Sequence, residues 1–330
     1  MQRLAPLTRL TRLAGLALVL MAAPIMHAAP AVVRASGAAV HPGAEAGGRV
    51  LLPNGWWLSP TGRQVGVGDF PLGLAASSDE RLVAVTFSGW HTKGLDLVDL
   101  ASGRRTQRLP LPETWLGVTF FDGGHQLAVS AGHTNRVLIY RVQDGQAVFR
   151  DSIVVGPRWS AGGQYPQGKS IDYGAGAIWT TGLAADDKHS RLYVVSRLDS
   201  ALNVLDVPGR RLERRVPLPA VPYTCLVSHD GTQVYVSLWS SASVAVVDAA
   251  TLEITSVVRV GDHPTDLAAT PDGLRLFVAN ANENSVSVVD LHAGRVTEKL
   301  RTSRTSGEPA GDTPNGLALD QDAQRLYVAN

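Results

Sequence analysis

A single cysteine, Cys225, is present in 330 residues. No internal disulfide can form from it, and zinc or haem patterns built on paired cysteines are excluded. Lysine is scarce as well: Lys93, Lys169, Lys188 and Lys299 are the only four among 30 basic residues. Charge of one sign does not accumulate. The formal net charge of +1 gives no electrostatic reason to expect nucleic acid or an anionic membrane as a partner. Beyond residue 30 no stretch carries a sustained helical period, which removes helical bundles and doubly wound α/β folds from consideration. Hydrophobic residues at 45% and charged residues at 18% still describe a chain that buries a core.

The first thirty residues stand apart. Arg3, Arg9 and Arg12 precede the 14-residue apolar run LAGLALVLMAAPIM, and HAAP follows it. A basic start, a short apolar centre and small residues at the end describe a secretory signal peptide, assigned to residues 1–29. The rival reading is an uncleaved anchor, since no charge falls between Arg12 and Arg34. Pro24, His27 and Pro30 interrupt the run, and spanning needs about 20 apolar residues. Residues 30–48 are small and turn-rich, a flexible leader. The expectation is an exported, periplasmic or secreted protein with no membrane span once the signal is removed.

What remains is a repeat. Pro222 and Pro264 lie 42 residues apart, as do Asp206, Asp248 and Asp290, and as do Tyr193, Tyr235 and Phe277; Tyr327 follows 50 later. Each unit holds four short candidate strands rich in β-branched and aromatic residues. In the clearest copy these are DLAAT, RLFVAN, SVSVVDL and RVTEKLR, joined by PDG and HAG turns. Such a sheet is too small to stand alone, and stacking copies around an axis buries both faces. The fold class is therefore all-β: a β-propeller of four-stranded blades over residues 49–330. Units at 71–109, 115–155 and 179–216 join the two clear copies, giving five complete blades. Residues 50–69 read as the back half of a blade, and the chain stops on the front half of another. The two halves either pair and close a six-bladed ring, or the chain is cut off mid-blade. The second reading is favoured, because the sequence ends on a second strand with no capping residue, although the cut leaves a hydrophobic edge of the kind soluble proteins avoid.

LYVVS, VYVSL, LFVAN and LYVAN, each of the first three followed by a polar turn and a strand of the VxVVD type, resemble the YVTN-repeat, YncE-like family of β-propellers. The opening LPNGWWLSPTGRQVGVGDFPLGLAAS looks like the start of a bacterial subgroup of that family. There a seven-bladed propeller precedes an alkaline-phosphatase-like, metal-dependent phosphoesterase domain. The resemblance implies binding or scaffolding, and it carries no metal ligand over to this chain. Fold likeness alone is a weak warrant for function.

GQYPQGKS, residues 163–170, fits the phosphate-loop pattern G-x-x-x-x-G-K-[ST]. That loop must follow a strand and open a helix. Here the strand ends near Val155, Pro166 removes an amide, and IDYGAGA cannot start a helix. The match is a coincidence. The surrounding insertion, residues 156–178, is still long enough to carry function, with Arg158, Trp159, Tyr165, Lys169 and Tyr173 as its candidates.

In a propeller, the loops leading into first strands share a face with those joining second and third strands. That places Trp90, His91, Trp115, His133, Asn135, Arg197, Tyr223, Trp239, His263, Asp266, Asn282 and Asn315 on one surface, here called the top. An aromatic-rich face favours binding of an unknown ligand or an adjacent domain. No cofactor is expected. The enzymatic rival is a lactonase-like or metal-dependent hydrolase with a site in the channel, since seven-bladed lactonases share this architecture. No HExxH or G-x-S-x-G pattern supports it. His91, His133, His263 and Asp266 are the candidate ligands should a metal be held. Asp99, Asp206, Asp248 and Asp290 read as turn-forming, and Cys225 as a buried small hydrophobe.

Overall fold

The structure, a computed structural model, describes residues 42–44, 49–52, 57–58, 63–157, 178–303, 313–320, 322 and 324–330. Residues 1–29, read as a signal peptide, and nearly all of residues 30–48, read as a leader, lie outside the described residues. Two compact units divide the chain, residues 1–62 and 63–330.

In the first unit, β1 (Gly43–Ala44), β2 (Val50–Leu51) and β3 (Trp57–Leu58) pair antiparallel in the order β1-β2-β3. Arg49 stacks 4.2 Å above the Trp57 ring. Of residues 50–69, read from the sequence as the back half of a blade, the described strands are β2 and β3, two residues each.

The second unit is a β-propeller of antiparallel four-stranded sheets, each a simple meander. Blade 1 holds β4 (Pro71–Ala76), β5 (Leu82–Ser88), β6 (Lys93–Asp99) and β7 (Arg104–Pro110). Blade 2 holds β8 (Val118–Phe121), β9 (Gln126–Ser130), β10 (Arg136–Gln143) and β11 (Gln146–Val154). Blade 3 holds β12 (Thr180–Asp186), β13 (Arg191–Ser196), β14 (Ala201–Asp206) and β15 (Arg211–Pro217). Blade 4 holds β16 (Pro222–Val227), β17 (Gln233–Leu238), β18 (Ser243–Asp248) and β19 (Ile254–Arg259). Blade 5 holds β20 (Pro264–Ala269), β21 (Arg275–Asn280), β22 (Ser285–Asp290) and β23 (Arg295–Arg301). The pair β24 (Gly316–Asp320) and β25 (Arg325–Ala329) follows as the front half of a further blade.

The first strands β4, β8, β12, β16, β20 and β24 lie one against the next and form the inner wall. Most of them slip register once against their own second strand. At this slip the amides of Gly73, Gly117 and Thr224 donate to the hydroxyls of Thr86, Ser130 and Ser237 at 3.0, 3.1 and 3.1 Å. Between blades 1 and 4 the approach is so close that Gly73, Gly117 and Gly182 have no room for a Cβ. A Cβ on Gly73 would overlap Leu116 O, and one on Gly117 would overlap Thr181 O. Thr181 and Thr265 donate their hydroxyls across to the next blade, to Tyr223 O at 3.2 Å and Pro314 O at 3.0 Å.

Farther out the blades diverge, and large side chains fill the wedges. Tyr193, fully buried, packs among Val234, Val236 and Leu252 of blade 4, and Tyr235 among Leu276, Val278 and Val289 of blade 5. The 42-residue spacing of these tyrosines is thus the spacing of the wedges they fill. Blades 1 and 2 carry alanine at the matching positions, Ala84 and Ala128. Tyr140 of blade 2 faces Ala84 and supplies the missing ring. Ala128 clusters with Leu192, Val194 and Leu205 of blade 3, and the ring in that cluster is Phe121, from the first strand of its own blade.

The turns follow two rules. After the third strand, the carboxylates of Asp99, Asp206, Asp248 and Asp290 accept backbone amides two or three residues on, at 2.7–3.0 Å. Their structural reading holds. Between first and second strands a hydroxyl–aspartate pair recurs: Ser77–Asp79 at 2.6 Å, Ser228–Asp230 at 2.7 Å and Thr270–Asp272 at 2.5 Å. Each carboxylate also accepts the amide two residues on. These bonds favour the ionised form, so all three carboxyls titrate below their ordinary value, Asp230 at about 2. A depressed folded-state pKa lends stability above the unfolded pKa and loses it as pH falls through the folded one. The urea midpoint is therefore expected to fall between about pH 4 and pH 2. Asp230→Asn is expected to flatten that decline; an unchanged profile would discard the turn as its source.

Cys225 is buried, and its thiol donates to Tyr193 O at 3.4 Å. Burial raises its pKa to about 12, so thiolate is scarce at neutral pH. A disulfide exchange reagent is expected to react with it only at the rate of unfolding. Fast labelling of the native protein would contradict this packing.

Candidate functional site

Blades 3, 4 and 5 bring six of the top-face candidates together. Arg197 follows β13, and its guanidinium stacks 5.1 Å over the Trp239 ring. Trp239 opens a single 3-10 turn, Trp239–Ser241, closed by Ala242 in the left-handed region at φ 49°. That turn presents the indole to His263, whose ring meets it edge-on at 4.1 Å. His263 is itself held at φ 51° in the loop before β20. Its Nδ1 lies 2.9 Å from both Asp262 Oδ1 and Asn282 Nδ2. The bond to His263 is the main reason the Asp262 carboxyl titrates low.

Beneath this shelf sit Tyr223 and Asp266, both partly buried, on the inner strands β16 and β20. Asp266 occupies the slip position where blades 1 to 3 have Gly73, Gly117 and Gly182. The carboxylate accepts Leu267 N at 2.9 Å and Leu317 N at 2.8 Å. Burial nevertheless outweighs these amides and raises its pKa. The phenol of Tyr223 is also raised, chiefly by burial, then by the Asp266 charge, with Arg197 opposing. The result is an aromatic wall, a cation and an anion at the inner rim of three consecutive blades.

A second group forms on the same face across blades 1 to 3. Glu113, buried, accepts from Lys93 Nζ at 2.7 Å and pairs with His133 Nδ1 at 3.0 Å. Trp115 and Trp179 meet edge-to-face at 5.6 Å, with His133 6.0 Å from Trp179. Sequence reasoning named Trp115 and His133 but missed Lys93, Glu113 and Trp179. Each lies outside any motif, and only the fold assembles them.

Other candidates separate. Asn135 is fully buried at φ 55°, donates to Pro157 O at 2.6 Å and accepts from Trp179 N at 3.0 Å. Both ends of its amide tie loops together, so the expectation that it faces a ligand is corrected: it is structural. Trp90, 92% exposed, and His91 stand on the β5–β6 loop, and Asn315 is exposed just before β24. Arg158 and Lys169, with Trp159, Tyr165 and Tyr173, lie outside the described residues, as does the GQYPQGKS segment. Among the described residues no three His, Cys, Asp or Glu side chains converge to hold a metal, so His91, His133, His263 and Asp266 do not form a common ligand set. No helix among the described residues is long and apolar enough to cross a membrane.

The fold is a β-propeller, and the loops and inner strands of blades 3 to 5 bring a polar and aromatic cluster together at its rim. The family model described as "Lactonase, 7-bladed beta-propeller" matches residues 182–309, which contain the whole Arg197–Asn282 cluster. Among solved structures, Kuenenia stuttgartiensis hydrazine synthase is similar at 17% identity and a TM-score of 0.60, over 82% of this chain and 76% of that one. A functionally unknown protein from Desulfotomaculum acetoxidans is similar at 15% identity and a TM-score of 0.59, over 81% and 77%. At such identities the likeness is one of fold. No curated protein matches the chain.

Proposed function

We propose that this propeller is a binding module, and that its ligand is a small hydroxylated ring held at the top of the inner wall. The observation that carries the reading is the Arg197–Trp239–His263 stack above Tyr223 and Asp266. An indole face takes a ring, and the surrounding guanidinium, imidazole, phenol and carboxylate supply directional hydrogen bonds. In line with the YVTN-type repeats, we read the protein as exported and as the front part of a longer chain with a phosphoesterase domain. The top face then also serves to position that neighbour. Trp239→Ala and Tyr223→Ala are expected to weaken binding of a hydroxylated ring about tenfold or more each, with cooperative unfolding retained. Affinity unchanged in both variants, measured by calorimetry against a panel of sugars and sugar acids, would sink the assignment.

The family match favours one alternative at the same site, hydrolysis of a lactone. There Asp266 is the general base for the attacking water, and Arg197 and Tyr223 face the developing oxyanion. Because Asp266 must be ionised to act, the rate is expected to rise with pH through a carboxyl pKa above the ordinary 3.8. Asp266→Asn removes the activity. Lactone turnover that survives this change, or that lacks this pH limb, removes Asp266 from the mechanism.

A further inference from the structure

A cleft of about 460 Å³ opens between blades 2 and 3, on the face opposite the Trp239 shelf. Its apolar lining is Phe121, Ile139, Ile153 and Val207. Its rim is formed by the tight turns β8–β9, β12–β13 and β14–β15. Two polar bridges cross that rim: Asp187 accepts the Asp122 amide at 2.8 Å, and Arg210 pairs with Asp151 at 2.9 Å.

The repeat explains why the cleft exists. In the next two wedges the same second-strand position holds Tyr193 and Tyr235, each buried against the following blade. Here it holds Ala128, and the facing third-strand position holds Leu205 where Tyr140 compensates one wedge earlier. Among the described four-stranded blades this is the one wedge with no aromatic at either position. Ala128 is itself fully buried and is not part of the cleft lining, and Phe121 is the ring of its cluster. The repeat supplies the shape of the group that fills the neighbouring wedges, a phenol. Its hydroxyl position is marked too. Tyr235 Oη donates to Gln233 Oε1 at 2.9 Å, two residues earlier on the same strand. The matching residue in blade 2 is Gln126, which lines the cleft and is held by Arg150 Nη1 at 2.6 Å and by its own bond to Asp122 Oδ2 at 2.9 Å. A guanidinium has five N–H donors, and the bond to Gln126 uses one.

We propose that the wedge between blades 2 and 3 is a binding site for a small phenolic molecule. The ring enters between Ile139, Ile153 and Phe121, beside the wedge whose counterparts tyrosine fills. The phenolic oxygen meets Gln126 and Arg150. This site is separate from the top-face cluster and does not depend on the function assigned there.

The test uses p-cresol, the tyrosine side chain as a free molecule, against the full chain, read by ligand-observed NMR. Saturable binding with a Kd of about 1 mM is expected, the affinity a small ring gains in a preformed apolar pocket. Toluene, lacking the hydroxyl, is expected to bind about tenfold more weakly. Ala128→Tyr places the ring covalently and is expected to abolish p-cresol binding. Should that variant fail to fold, Val207→Trp, which fills the cleft from the blade 3 turn, is expected to do the same. No saturable p-cresol binding up to about 20 mM, more than tenfold above the expected Kd, overturns the proposal. So does binding that persists unchanged in the folded cleft variants.

Discussion

Gly117→Val is expected to cost about 3 kcal/mol or more, enough to leave a marginal domain largely unfolded. The reason is backbone against backbone. A side chain at Gly117 meets the carbonyl oxygen of Thr181 on the next inner strand, and Ser130 Oγ on its own blade. The serine can rotate, but the carbonyl cannot move without shifting β12, which is itself packed against β16. Gly66 has nothing within 4 Å of its would-be Cβ, and Gly66→Ala is the control expected to leave the urea midpoint unchanged. Equal midpoints for Gly117→Val and wild type would mean that the inner strands are not in the close contact described.

Tyr235→Ala is expected to cost about 3–5 kcal/mol, the range for removing a large buried ring and leaving a cavity. The ring is 2% exposed and packed on Leu276, Val278 and Val289 of blade 5. Tyr235→Phe separates the ring from its hydroxyl. It deletes only the bond to Gln233 and is expected to cost about 1 kcal/mol. Urea unfolding measures both. If the two substitutions cost the same, the hydroxyl rather than the ring holds the wedge.

The comparison between these tyrosines and the alanines of blades 1 and 2 shows what the sequence makes legible. Tyr193 and Tyr235 repeat because each fills the wedge before a four-stranded blade, and Phe277 keeps the interval beside the half blade, so the 42-residue spacing reveals the blades directly. The drift of the earlier copies has a physical cause: Ala84 and Ala128 break the pattern, and in one case Tyr140 restores the volume from the other side. A repeat search cannot see a compensation made from a neighbouring strand. The turn aspartates were readable because their partners are two or three residues away. The rim was readable only as a face. That Arg197 stacks on Trp239, or that Glu113 joins Lys93 and His133, depends on which loops become neighbours, and loop neighbours are fixed by blade stacking. Asn135 shows the opposite limit. Its loop position suggested a ligand contact, yet the side chain is fully buried and both ends of its amide are bonded to neighbouring loops.

The residues of the Trp239 shelf come one or two at a time from consecutive blades, and those blades touch through their inner strands, most tightly where Gly182 meets Thr224. The rim is therefore an aperture whose span is fixed by the angular pitch of the inner strands. A ligand pulling Arg197, Trp239 and His263 together acts on that pitch directly. Conversely, any change in how many blades share the circle would resize the aperture without altering one of its residues.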